Sequence, residues 1–166
     1  MNLKKITATA ASLLALSAGA TTTDWGAHDP LEVGVGLVNP GSFADAFLFN
    51  LSAASSLIST TVANNLGGGG VLSIADGTVQ LYKEAGAVDQ LIDSYSFDGT
   101  TGNTTHTFAS LMAGDYYYKV SGKANGASGG FYATTSSTSP VPEPESYALL
   151  LAGLAVGGLI YRRRIS

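Results

Sequence analysis

The stretch Phe43-Ala44-Asp45-Ala46-Phe47-Leu48-Phe49-Asn50-Leu51 decides the fold. In an extended chain alternate residues share a face, so Phe43, Asp45, Phe47, Phe49 and Leu51 point one way. Such an aromatic row marks a strand with one buried face, and it places a carboxylate among the rings. A charge there is costly unless it is hydrogen-bonded. Three roles are open to Asp45. It accepts backbone N–H groups from a neighbouring loop and pins it, it serves as a calcium ligand, or it acts as a catalytic acid. The last lacks a second carboxylate nearby in the sequence to form a pair.

Short alternating runs recur on both sides of this row. They are Val33 to Val38, Phe43 to Ser52, Ser56 to Val62, Val71 to Ile74, Thr78 to Tyr82, Leu91 to Phe97, His106 to Leu111, Tyr116 to Ser121 and Gly130 to Thr134. Turn formers separate them at Asn39-Pro40-Gly41, Asn64-Asn65 with Gly67 to Gly70, Asp76-Gly77, Asp98-Gly99, Ala113-Gly114-Asp115 and Gly126 to Gly130. Nine short strands without a long segment of helical period predict an all-β chain, a single antiparallel β-sandwich of jelly-roll kind. Leu51 to Ile58 also reads as one or two helical turns.

Composition agrees with strands and turns. The chain has 166 residues, 21 of them glycine, and only 12% are charged. It has no cysteine, which excludes disulfides, thiolate metal sites and cysteine nucleophiles. Two histidines leave little for metal or triad chemistry.

The two ends read differently from the middle. Lys4 and Lys5, the apolar run Ile6 to Ala18 and the small residues Ala18-Gly19-Ala20 form a secretory signal peptide over residues 1–20, cut after Ala20 by signal peptidase. The mature chain then begins at Thr21. At the other end Tyr147 to Tyr161 is apolar throughout and runs straight into Arg162-Arg163-Arg164. Fifteen helical residues reach about 22 Å, short of the roughly 30 Å hydrocarbon core. Interfacial tyrosines and snorkelling arginines make up the length, and the positive-inside rule sets the arginines in the cytoplasm.

Val141-Pro142-Glu143-Pro144-Glu145-Ser146 precedes that helix, and its two prolines hold an extended strand for a protease to bind. Pro142, Glu143 and Pro144, a short apolar helix and Arg162, Arg163 and Arg164, in that order, resemble the PEP-CTERM sorting signal recognised by exosortases. The resemblance implies transient insertion in the inner membrane, cleavage near the Pro-Glu-Pro motif, and transfer of the ectodomain to the cell surface or the extracellular polymer. The expected organisation is therefore signal peptide 1–20, β-sandwich ectodomain 21–133, Ser/Thr/Pro linker 134–140 and sorting signal 141–166, with its transmembrane helix at 147–161.

Phe43-x-Asp45-x-Phe47, early in an exported domain with such a terminus, is similar to the family of FxDxF-motif PEP-CTERM proteins. Leu111-Met112-Ala113-Gly114-Asp115-Tyr116-Tyr117-Tyr118-Lys119-Val120 also resembles the final hairpin of bacterial pre-peptidase C-terminal β-sandwiches. Neither resemblance supplies a catalytic residue, and in the first Phe43, Asp45 and Phe47 carry a structural motif. Along Tyr116 to Val120 the even residues face one way, which leaves Tyr117 on the other side with Lys119. Tyr117 is then either an exposed ring for stacking on sugars or a cross-strand ring packed on its neighbours. Trp25 has the same two readings, a glycan contact or an indole tucked against the sandwich edge.

Motifs that carry chemistry are few. Gly67 to Gly70 lacks the Lys-Ser/Thr of a phosphate loop, and no Gly-x-Ser-x-Gly elbow occurs. His106 alternates with threonines as a solvent-facing strand residue, and His28 lies near the mature terminus. Asp93, Asp98 and Asn103 offer oxygen ligands for weak calcium binding, without EF-hand spacing. Between Thr21 and Pro140 ten acids face three lysines, a net charge of −7 that repels nucleic acid and anionic membranes. The expectation is a non-enzymatic exported protein without cofactor or metal, in a structural or adhesive role. The alternative is a glycan-binding module acting through Tyr117 and Trp25 on the producer's exopolysaccharide.

Overall fold

Alternation of inward rings with outward small or polar residues builds nine strands. The structure is a computed structural model that describes residues 19–64 and 70–140. The strands are β1 (Thr22–Ala27), β2 (Leu31–Val38), β3 (Gly41–Leu51), β4 (Ser55–Ala63), β5 (Ile74–Lys83), β6 (Gln90–Phe97), β7 (Asn103–Leu111), β8 (Gly114–Ala124) and β9 (Gly130–Pro140). They form a sandwich of two sheets, ordered β1-β3-β8-β5-β6 and β2-β9-β4-β7. The all-β two-sheet sandwich read from the sequence is what forms.

The decisive row lines its interior. Phe43, Phe47, Phe49 and Leu51 of β3 are buried beside Val79 and Leu81 of β5 and Tyr116, Tyr118 and Val120 of β8. The second sheet answers with Leu57, Phe108, Leu111 and Tyr132. Each such side chain contributes about 1.5–3 kcal/mol by leaving water, so this interlayer holds the domain together without a disulfide.

Two inward rings lie on bare backbone where β2 carries glycine, Tyr132 from the neighbouring strand of its own sheet and Phe47 from the facing sheet. A Cβ at Gly36 would stand 2.1 Å from Tyr132 Cε1, and one at Gly34 would stand 2.6 Å from Phe47 Cε1. Only bare backbone admits those two rings.

The structure departs from the sequence reading in four places. Strand β1 was not expected, because its period is masked by threonines, and it pairs with β3 in parallel. The rest of the sandwich is antiparallel, as expected. Val71 to Ile74 and Thr78 to Tyr82 are not two strands across an Asp76-Gly77 turn. Ile74 to Lys83 is one strand, whose pairing with β8 shifts between Ala75 and Thr78, with Asp76 at φ 53° in the bulge. Leu51 to Ile58 makes no helix and instead joins β3 to β4. Residues 134–140 are no linker but the second half of β9, paired on both sides with β2 and β4.

Among the described residues no helix is long and apolar enough to cross a membrane. Most of the signal peptide, the Gly67 to Gly69 part of the loop, Pro142, Glu143, Pro144, the helix at 147–161 and Arg162, Arg163 and Arg164 lie outside the described residues.

Candidate functional site

Strand β3 lies between β1 and β8, so a side chain on its inner face is enclosed from both sides. Asp45 occupies such a position and is 1% exposed. Its Oδ1 accepts the backbone N–H of Thr21 at 2.9 Å and the Thr21 hydroxyl at 2.6 Å. Its Oδ2 accepts the Tyr132 hydroxyl at 2.5 Å from the opposite sheet. Thr21 is fixed a second time, because its carbonyl accepts the N–H of Ala46 at 2.8 Å. One carboxylate thus joins the entry of β1, the centre of β3 and the face of β9.

Tyr132 is positioned for this contact by its surroundings. Its ring stacks on Phe43 at 5.6 Å and 16°, over the bare backbone of Gly36. Burial, and then the Asp45 carboxylate, push its phenol far above the ordinary tyrosine range, so it stays a donor.

A second polar layer runs beside this clamp. Tyr95 Oη bonds with Ser59 Oγ at 2.7 Å and Thr61 Oγ1 at 2.8 Å, and Thr61 Oγ1 bonds with Thr134 Oγ1 at 2.8 Å. Ser136 Oγ meets Tyr118 Oη at 3.0 Å and His28 Nε2 at 2.8 Å. Ser59, Thr61, Thr134 and Ser136 are all buried, so β4 and β9 offer hydroxyls to tyrosines of the facing sheet. Buried polar atoms need such partners. This explains why a stretch that reads as a Ser/Thr linker is an inner strand.

The two aromatic candidates both pack on neighbouring rings. Tyr117 is 3% exposed, stacked on Tyr82 at 5.0 Å and 9°, and its hydroxyl donates to Asp89 Oδ2 at 3.0 Å. Burial and Asp89 raise its phenol well beyond the usual range. The cross-strand packing is realised, and the ring has no free face. Trp25 is half-buried and stacks on Phe47 at 5.0 Å and 27°, with Phe49 at 6.1 Å, so its indole lies over the aromatic row.

The remaining polar candidates are local. His106 Nε2 meets Asp93 Oδ2 at 2.9 Å at the sandwich rim, and its ring stacks on Tyr95 at 5.4 Å. Asp98 Oδ1 accepts the N–H groups of Thr100 and Thr101 and the Thr100 hydroxyl, which closes its own turn and lowers its pKa. Asp24, Glu84 and Asp115 line a groove of about 250 Å³ beside Phe49 and Tyr116. There partial burial, then Asp115 and Asp89, raise the Glu84 carboxyl. Among the described residues no three His, Asp or Glu side chains converge to hold a metal ion.

Strand β9 ends at Pro140, where the sorting tail begins. Residues 140–164 match the PEP-CTERM protein-sorting motif. This motif implies an exported protein that is processed by an exosortase and associates with a membrane. The fold is similar to the pre-peptidase C-terminal domain of a collagenase from Bacillus anthracis, at 16% identity over 71% of this chain and 94% of that one, with TM-score 0.42. It is also similar to PliG of Aeromonas hydrophila, a periplasmic inhibitor of g-type lysozyme, at 15% identity over 73% of this chain and 100% of that one, with TM-score 0.38. No curated protein matches the chain.

Sequence reasoning found Asp45 and missed its partners. The period-2 pattern Tyr132, Thr134, Ser136 is present, but its first part reads as the strand Gly130 to Thr134 and residues 134–140 read as linker composition. Thr21 carried a signal of another kind, since it directly follows the expected cleavage site.

Proposed function

We propose that this chain is a non-enzymatic structural protein, exported across the inner membrane, held there transiently by residues 147–161, and delivered by an exosortase to the cell surface or extracellular matrix. The observation that carries this reading is the sorting motif at 140–164, joined without a spacer to the last strand of a sandwich. The resemblance of Phe43, Asp45 and Phe47 to the FxDxF pattern supports it. In the matrix the acidic domain lies among the producer's exopolysaccharide.

Strand β2 supports an assembling role. Leu31, Val33, Val35 and Leu37 are exposed on its outer face, at 59%, 57%, 64% and 76%. The ladders that hold the other three edge strands, β1·β3, β4·β7 and β5·β6, each contain a register shift, whereas β2·β9 runs from Leu31 to Val38 without one. A regular edge without outward charge is open to pairing, and bulges are a usual defence against it. The partner this edge fits is a second copy of itself. Antiparallel pairing about Gly34 sets Leu31 opposite Leu37, Val33 opposite Val35, and Glu32 opposite Gly36, which keeps the two charges apart. One such strand buries less than the roughly 1,200–2,000 Å² of a stable interface, so association is weak in solution and grows where sorted chains are crowded.

The intact mass of the protein from surface and medium fractions of its host tests the sorting reading. A chain from Thr21 ending near Pro144 is expected, and a chain extending to Ser166 found only in membranes overturns it. For assembly, sedimentation velocity should show concentration-dependent dimers that Val35→Lys abolishes. A monomer at every concentration removes the assembling role.

A further inference from the structure

The structure assigns Asp45 as a receptor for the α-ammonium group that signal-peptide removal creates at Thr21. The inference rests on the export reading above, which places the cut between Ala20 and Thr21. It adds a site and a purpose for the carboxylate of the Phe43-x-Asp45-x-Phe47 row.

Asp45 is the buried carboxylate of the domain, and its partners in the uncut chain are the Thr21 amide and two hydroxyls. None is a cation. Among the described residues the one close contact between a carboxylate and a basic side chain at ion-pair distance is Asp93 with His106, at the rim. A buried carboxylate held only by neutral donors lacks the partner that would best stabilise it.

Cleavage supplies that partner at the atom already in place. Hydrolysis of the Ala20–Thr21 bond consumes one water, leaves a carboxylate on Ala20 with the leader, and leaves an amine on Thr21 that is protonated at neutral pH. The Thr21 nitrogen is already 2.9 Å from Asp45 Oδ1, so a hydrogen bond from a neutral amide becomes a hydrogen-bonded ion pair without movement of the strand. Thr21 itself is exposed, which leaves the other N–H groups of the ammonium in water and keeps its desolvation cost low. The Thr21 carbonyl remains tied to Ala46, so the new terminus stays in register.

The consequence is that processing tightens the fold. The precursor already holds β1 through the amide contact, and the mature chain holds it more firmly. Other titratable groups near the new charge are few. Tyr132 faces it from β9 through Asp45, and its phenol stays neutral. On β8 Val120 is opposite Asp45, while Lys119, opposite Ala46, belongs to the outer face. On β2 the positions against this cluster are Gly34 and Gly36.

The test uses the chain from Thr21 to Ser166 in detergent, released by a specific protease placed ahead of Thr21. It is compared with the same chain acetylated at Thr21, which keeps the N–H donor and loses the charge. The free-amine form should melt about 5 °C higher at pH 7. The Thr21 amine, followed by nitrogen NMR, should titrate above its ordinary range of about 7.7–8.0. With the amine pKa raised by the carboxylate, the extra stability is complete below the unfolded pKa and disappears as the pH rises through the folded one.

Asp45→Asn should erase the difference between free and acetylated chains. If that variant does not fold, the amine titration in the wild-type chain decides alone. Equal melting temperatures together with an ordinary amine pKa overturn the pairing. Amino-terminal sequencing of the host-derived protein separates the two possible failures. A chain starting elsewhere than Thr21 removes the premise of cleavage, whereas a chain starting at Thr21 with an ordinary amine pKa removes the chemistry.

Discussion

Asp45 and Asp93 are both aspartates within strands, and they lie at opposite extremes of the same sandwich. Asp45 is 1% exposed and accepts three hydrogen bonds, two from Thr21 at the chain entry and one from Tyr132 of β9. Asp93 is 56% exposed, bonded to its neighbour Ser94 and to His106 across the rim. The first joins segments distant in sequence, while the second decorates an edge that water already solvates. Surface ion pairs contribute little because water and salt screen them, whereas a buried carboxylate makes every donor aimed at it indispensable. The carboxylate that looks out of place in the sequence is therefore the one that organises the fold.

The contrast breaks most sharply at Asp45 itself. Asp45→Ala leaves the Tyr132 hydroxyl buried without a partner and frees Thr21, and it should cost about 4 kcal/mol in urea denaturation. A variant within 1 kcal/mol of the parent would mean that the aromatic row alone fixes β1. Gly36→Ala comes next. Its Cβ collides with the Tyr132 ring, so the ring must shift and carry its hydroxyl away from Asp45, at about 2–3 kcal/mol. Wild-type stability in this variant would show that Tyr132 has room to move.

These two positions also show what was legible in the sequence. The row Phe43 to Leu51 could be read because alternation of rings with small residues has one structural meaning, and it correctly set a buried face. Thr134 and Ser136 could not, because a hydroxyl that faces solvent and one that meets Tyr95 or Tyr118 across a core look alike in a list of residues. Tyr117 stood between two readings for a related reason. Strand parity put it on the outer face, and parity says nothing about the Tyr82 ring and the Asp89 loop that cover that face. The site was half visible, since Asp45 stands out by its cost while its donors come from positions 24 and 87 residues away.

Tyr132→Phe sharpens the comparison within the buried site. It removes one donor and keeps the ring that stacks on Phe43, so the two Thr21 contacts must hold the carboxylate alone. The expected loss is about 1.5 kcal/mol by thermal or urea unfolding. A loss equal to that of Asp45→Ala would place the whole effect in the hydroxyl and none at the chain entry.

Asp93→Asn is the smallest change and tests the other side. The Ser94 N–H first, and the His106 contact after it, hold the Asp93 carboxyl below its usual value of 3.8. A lowered folded pKa contributes stability above the unfolded value and loses it as the pH falls through the folded one, so any effect of this pair on acid unfolding belongs below about pH 4. At pH 7 the melting temperature of Asp93→Asn should match the parent within error. Raising the salt concentration should then leave the difference between the two unchanged, because a pair this exposed has little to screen. A clear drop at low salt that vanishes at high salt would instead make the β6–β7 rim a stabilising element, and the divide between interior and rim carboxylates would no longer hold.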